Sequence, residues 1–327
     1  MAGNENPTIT QVAQLGIEVT AGVPVAATKR FTGLQIAPSM KSDVKVYRAA
    51  GYKFATVAAL SKEWSELDVS GPVTYTELMY LLNSLIKAVT PTGAGANKTS
   101  LFAPSSTGSD ARKTFTIEHG SPDRARQIAY ALMTGLELTF NRNEVTCKGT
   151  MLGKAIADNV ALTNLTSAAE IPVIPVLPTQ GTIKLADTQA GLAGATAAAR
   201  AFAATWSVQN VSGPVWPINA SNSFAAIVDT QPTAEGSVRM AVDAEGMALL
   251  TNLRNGASKF MRINYLGEAL GTGNYQLQID VAMKVKDVKQ FSDEEGVYAV
   301  EWGWEMVHDS TWGKGTEITV VNSLAAL

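Results

Sequence analysis

The chain has 327 residues, 46% of them hydrophobic and 17% charged, with 26 basic and 29 acidic side chains and a net charge of −3. That length exceeds one ordinary core and leads to the expectation of two domains, while the composition is that of a packed globular protein and excludes a disordered one. The balance also lacks the basic excess that neutralising nucleic-acid phosphates requires, which argues against tight DNA binding.

A single cysteine, Cys147, excludes an intrachain disulfide and a multi-cysteine zinc site. No uninterrupted apolar run reaches the roughly 18–20 residues of a helical membrane span. The opening MAGNENPTIT has neither a basic nor an apolar leader segment. The expectation is a soluble chain, not exported through a signal peptide and assembled in the cytoplasm.

In chain order, residues 1–24 are polar and small, with Pro7, Gly16, Gly22 and Pro24, and read as a flexible arm. Between Phe31 and Val69 short alternating runs bounded by Pro38, Ser39, Gly51 and Gly71-Pro72 read as strands. From Tyr75 the spacing changes. Leu78, Met79, Leu81, Leu82, Leu85 and Ile86 follow helical spacing, with Thr74 or Thr76 as N-cap, and the helix stops before Pro91. Pro91 to Arg112, rich in Gly, Ser, Thr and Ala, reads as a long exposed loop. Phe115–Ile117 is extended. Ser121–Tyr130 carries both a helix-start signal at Ser121-Pro122 and the alternation of Ile128, Tyr130 and Leu132, and the strand is preferred.

A hairpin follows. The stretch Gly135 to Gly149 puts Leu136, Leu138 and Phe140 on one side of a strand and Glu137, Thr139 and Asn141 on the other, then turns and alternates again, with Val145 and Cys147 on one side. Residues 166–191 include Ile171-Pro-Val-Ile-Pro-Val-Leu-Pro178, whose three prolines break any helix and favour an extended connection, so the domain boundary is placed there.

The second half repeats the pattern. Glu77-Leu-Met79-Tyr-Leu-Leu82 lines up with Glu245-Gly-Met247-Ala-Leu-Leu250, and Arg30-Phe31 with Arg200-Ala-Phe202. Pairing Ile117 with Ile279 and Leu136 with Tyr298 keeps one spacing, which suggests a second hairpin at Tyr298–Met306. Two copies of one β-rich domain, 25–165 and 192–327, joined by the 166–191 linker, is the economical reading.

No constellation for catalysis emerges, and no catalytic, cofactor or metal residue is assigned. His308-Asp309-Ser310 are adjacent and cannot aim three side chains into a triad, and no G-x-S-x-G elbow precedes a serine. His119 and His308 read as ordinary structural residues. Cys147 shares a strand face with Val145 and reads as a small buried hydrophobe. Asp293-Glu294-Glu295 lacks the alternating oxygens of a calcium loop and reads as a solvated turn. Trp302 and Trp304, with Met306 next on the same face and Trp312 nearby, suit a core or an interface better than sugar stacking, so a carbohydrate-binding module is a minor alternative.

The run Glu118–Gly153 resembles the hairpin region of the tail tube (major tail) proteins of long-tailed bacteriophages. Ser70-Gly-Pro-Val-Thr-Tyr-Thr-Glu-Leu-Met-Tyr-Leu-Leu82 and Ala241-Val-Asp-Ala-Glu-Gly-Met-Ala-Leu-Leu250 resemble them as well, and the likeness extends from about Val25 to the end. It implies a mainly β fold, with two tandem tail-tube-like β-sandwiches each flanked by a short helix, and a structural, non-enzymatic virion protein without cofactors. It further implies that copies close into rings and that stacked rings form the conduit through which DNA is ejected without specific binding, alongside other tail proteins. One-domain members of such a family are expected to use six chains per ring, so two domains per chain imply a trimeric ring with pseudo-sixfold symmetry; the alternative is a hexameric ring with the second domain outside. The arm and the loop from Gly93 to Asp110 are then candidates for ring stacking, and Glu137, Glu301 and Glu305 for the channel side. A tail-end adaptor or a capsid decoration protein is the runner-up.

Overall fold

The computed structural model describes residues 8–218 and 221–327, and it is mostly β. The first half is built from β1 (Val12–Ile17), β2 (Lys29–Phe31), β3 (Gln35–Tyr47), β4 (Val57–Pro72), α1 (Leu78–Leu85), β5 (Lys98–Phe102), β6 (Phe115–Gly120), β7 (Ala125–Asn141), β8 (Val145–Gly153), β9 (Ala157–Val160) and β10 (Ala169–Glu170). One layer runs β1–β6–β7–β9 and the other β3–β4–β8–β7. Strand β7 belongs to both. It changes layer near Tyr130, which holds a left-handed φ of 59°. That conformation is costly for a bulky residue. The buried Glu18 carboxylate offsets part of the cost by accepting from the Tyr130 amide at 2.8 Å, while also accepting from Thr114 Oγ1 and Thr116 Oγ1.

The second half contains β11 (Gly181–Ala186), a short turn of helix α2 (Gly191–Gly194), β12 (Ala201–Gln209), β13 (Ser212–Val215), β14 (Ala226–Asp229), β15 (Thr233–Ala241), α3 (Ala244–Met247), α4 (Leu249–Asn255), β16 (Lys259–Leu270), β17 (Gly273–Val288), β18 (Ser292–Glu294), β19 (Val297–Met306) and β20 (Thr316–Asn322). Its layers run β11–β16–β17–β20 and β12–β15–β19–β17, with β17 shared between them. The order of pairings is the one found in the first half. Each half also carries its helix after the second strand of its four-stranded layer. At α3 the N-cap Asp243 accepts from the Gly246 amide at 2.9 Å, whereas the N-cap of α1 is Glu77, without a side-chain cap, rather than the expected Thr74 or Thr76; Thr74 Oγ1 instead accepts from the Glu77 amide at 3.0 Å in the turn before the helix.

Helix α1 is buried along its whole length. It lies in a continuous core with Leu136, Leu138 and Phe140 of β7, Trp206 of β12 and Trp302 and Trp304 of β19. The predicted hairpin is present, with Phe140 opposite Val145 and Leu138 opposite Cys147. Ser121–Tyr130 leads into β7 as a strand after a short turn, as preferred.

Four expectations are corrected. Residues 12–17 are not a flexible arm but β1, paired on both sides with β2 and β6, with Leu15 fully buried; residues 1–7 of the expected arm lie outside the described residues. The long loop contains β5, which crosses to pair with β20 of the other half. The Pro-rich segment is extended, but it packs on the first half: the Ile171 amide donates to Arg30 O, the Tyr75 amide to Ile174 O and the Val176 amide to Val73 O. Its C-terminal end is already β11. Finally, the proposed register crosses strands. Ile117 lies in β6 but Ile279 in β17, and Leu136 lies in β7 but Tyr298 in β19, which is a single return strand rather than a hairpin. Apolar alternation is alike in every buried strand, so neighbouring strands can be exchanged in such an alignment.

Candidate assembly surface

The two four-stranded layers are one sheet. Strand β12 pairs with β15 on one side and with β7 on the other, so the order β3–β4–β8–β7–β12–β15–β19–β17 is continuous across both halves. One face of this eight-stranded sheet closes on the core. The other is polar, because period-2 alternation sends every second side chain away from the core.

That outer face is lined across its width by hydroxyls and charges in register. Thr146 faces Thr139, Thr139 faces Thr205, and Thr205 faces Ser237, with Thr205 Oγ1 and Ser237 Oγ 3.1 Å apart. Glu137 stands opposite Lys148 on one side and Ser207 on the other. Lys286 and Glu305 form an ion pair at 3.1 Å, and Lys289 pairs with Glu301. Arg239 bonds Glu294 at 2.6 Å. Glu235 lies directly across the ladder from Glu305, and Lys286, paired with Glu305 and also drawn to Glu235, offsets the repulsion that two like charges in that position would otherwise bring.

Of the residues singled out in the sequence, Glu137, Glu301 and Glu305 are all on this face. Lys148, Glu235 and Lys286, which join them, were missed. Their strands could be read singly, but which strands lie side by side is a tertiary fact. A shallow open cavity on this face is lined by Glu137, Thr205, Ser207, Glu235, Lys286 and Glu301 among others, so the depression spans both halves.

The other expected residues are dispersed. Trp302 is 0% and Trp304 1% exposed, and Trp312 packs edge-on against Phe260 with ring centroids 5.9 Å apart. The first two cannot stack on a sugar, which removes the basis of the carbohydrate-binding alternative. Cys147 is buried, and burial pushes its thiol up to about 12. His119 lies in β6, where burial first and Arg126 second lower its pKa. His308 is on the surface, and its neighbour Asp309 accepts from the Trp312 amide at 2.7 Å in a turn. Asp293 likewise accepts from the Gly296 amide at 3.3 Å. Among the described residues no group of three or more His, Cys, Asp or Glu side chains could hold a metal ion, and no helix is long and apolar enough to cross a membrane.

The sheet ends in two open edges. Among the described residues, β3 pairs only with β4, and the last part of β17, from Lys284 to Val288, pairs only with β19. Open edges with unpaired amides and carbonyls are templates for another strand. The outer part of the β3–β4 hairpin also exposes Met40, Val44, Val46, Tyr47, Tyr52, Phe54, Val57 and Leu60. Apolar exposure of that extent on one projection marks an interaction surface rather than the background of a monomer.

In comparison with known proteins, the family described as phage tail tube protein matches residues 8–207, more than half of the chain. No match is found among curated proteins.

Proposed function

The chain belongs to the phage tail tube protein family, a structural family of the bacteriophage tail, and from that membership we propose that its copies close into rings that stack into the tube through which DNA is ejected. The observation that carries this reading is the seam between β7 and β12. There the sheet of one half continues into the sheet of the next by an antiparallel ladder from Ala203 opposite Asn141 to Val208 opposite Leu136. In the order of pairings β3 holds the place of β12, and β17 that of β7. Copies joined by β17 of one and β3 of the next repeat that seam, and a sheet extended in this way ends only by closing on itself.

The repeated order of pairings supports reading the halves as two copies of one sandwich. Each copy then begins with a strand, β1 or β11, that the sequence reading assigned to the arm or to the linker. With two channel sheets per chain, three chains complete a ring of pseudo-sixfold symmetry. In the rival arrangement six chains line the channel with one half each. The polar face, on which Glu137, Glu235, Glu301 and Glu305 are balanced by Lys148, Arg239, Lys286 and Lys289, turns to the lumen, where a near-neutral wall gives phosphates little net attraction and releases few counterions, so DNA passes without being held. Assembly in the host cytoplasm, contact with other tail proteins and incorporation into the virion follow from the same reading. Electron microscopy of the purified protein tests it: long hollow polymers are expected, and a species that stays monomeric at every concentration contradicts it.

A further inference from the structure

We propose that the outer part of the β3–β4 hairpin, residues 40–60, docks on a second copy of this chain, across the turn that follows its β19 and overlies the middle of its β17. The inference rests on the ring reading above and adds to it a contact surface, its occupant and its location.

The hairpin is a two-stranded ribbon that, among the described residues, is left exposed over most of its length. Val46 is 65%, Tyr47 60%, Tyr52 64% and Phe54 74% exposed. Isolated ribbons of this kind are marginal in water, and a row of exposed aromatic and branched side chains makes this one more costly to leave bare.

The same molecule shows what such a projection does when a neighbour is present. The connection between β12 and β15 holds the place in the second half that this hairpin holds in the first. It lies across the first half, and its contacts are extensive. The Val211 amide donates to Thr134 O at 3.0 Å, and Asp229 pairs with Arg112. The Ile227 amide donates to Tyr130 Oη at 3.3 Å, and Phe224 packs on the Tyr130 ring at 5.5 Å. Ser223 Oγ accepts from the Ala155 amide at 3.0 Å. Trp216 stands edge-on to Trp64, with Lys62 5.0 Å above its ring. The receiving surface is therefore β7 where it changes layer, together with the chain just after β8.

The corresponding surface of the second half is the stretch Val307 to Trp312 after β19, which overlies Ala282 and Met283 of β17; those two residues are themselves fully buried within the chain. Among the described residues no hairpin reaches it, and the loop at Ser106 touches its far end at Gly313: Val307 and Trp312 are half-buried, and His308 is exposed. When β3 of a second copy pairs with the free edge of β17, its hairpin is carried onto this surface, as the β12–β15 connection is carried onto the first half by the β7–β12 seam. Occupant and site are thus fixed by one continuous strand, β3.

The test uses assembled full-length protein with a photo-crosslinking residue in place of Phe54, prepared from a mixture of isotopically light and heavy chains. Mixed-isotope crosslinks to residues 280–286 or 305–314 are expected. Polymers whose hairpin crosslinks only to residues 8–160, or only within one chain, overturn the docking site while leaving the ring reading standing. The double variant Val46→Glu, Phe54→Glu is the second arm. Because these side chains lie on the bare ribbon, its thermal midpoint should match the parent while polymer yield falls at least tenfold; unchanged yield overturns the inference. A parent chain that forms no polymer in either arm overturns the ring reading itself.

Discussion

Leu138 of the first half stands directly opposite Trp206 of the second, across the ladder that joins β7 to β12, and both side chains are fully buried. The seam is thus a hydrophobic contact as well as a row of backbone hydrogen bonds. Removing the indole leaves a cavity at the place where the halves meet. Trp206→Ala is expected to cost about 3–5 kcal/mol in urea unfolding. It should also split the transition, because the two halves then share less of one core. A loss below about 1 kcal/mol would show that the seam contributes little.

The Arg262 guanidinium holds Asp280 through two bonds of 2.7 Å, and the Asp280 carboxylate is almost wholly buried. Leaving one charge there without the other strands it in a poor solvent. Asp280→Ala is therefore expected to destabilise by about 3–5 kcal/mol, whereas the double variant Asp280→Leu, Arg262→Met should recover most of the loss. Thermal unfolding of the three proteins measures both effects.

Burial pushes the Cys147 thiol from 9.0, and the Tyr80 and Tyr265 phenols from 10.0, up to about 12. All three are neutral when protonated, so the folded state holds these protons more tightly than the unfolded chain. Stability from this source is fully present below pH 9 and is lost as pH rises through 9–12. Denaturation midpoints measured against pH should fall over that window and not before it. In the folded protein at pH 8, iodoacetamide should leave Cys147 unmodified.

How much of this was legible beforehand follows from range. The β7–β8 hairpin was readable because its alternation, its turn and its return strand lie within Gly135–Gly149. Helix α1 was readable because Leu78, Leu82 and Leu85 repeat over one segment. Strand β1 was not, because Gly16 and the polar Gln14 interrupt its alternation; Gln14 is nevertheless fully buried, donating to Glu118 at 2.8 Å. Strand β5 was hidden for another reason. Five residues flanked by Gly95, Asn97 and Pro104 carry too little pattern, and what makes them a strand is β20, more than two hundred residues away. On the assembly surface, Glu137, Glu301 and Glu305 were found from alternation alone. Their neighbours across the seam needed the pairing of β7 with β12, which no local signal announces.

In the proposed tube the outer face of the sheet turns its acidic side chains to the channel, where a passing phosphate would meet them. The triple variant Glu137→Lys, Glu235→Lys, Glu301→Lys is expected to assemble as the parent does but to retain DNA, with an affinity that falls steeply as salt rises. Parent polymers should retain none. Filter binding at several salt concentrations checks this, and equal retention by the two proteins would place the face away from the channel.

A cross-section of the assembled polymer at a resolution that separates strands tests the central claim most directly. The account predicts three chains per ring, both halves of each lining the channel, with β3 of one chain laddered to the β17 edge of the next as β12 is to β7. Six chains per ring, each presenting one half to the channel, or a ring in which β3 and β17 remain unpaired, would contradict it.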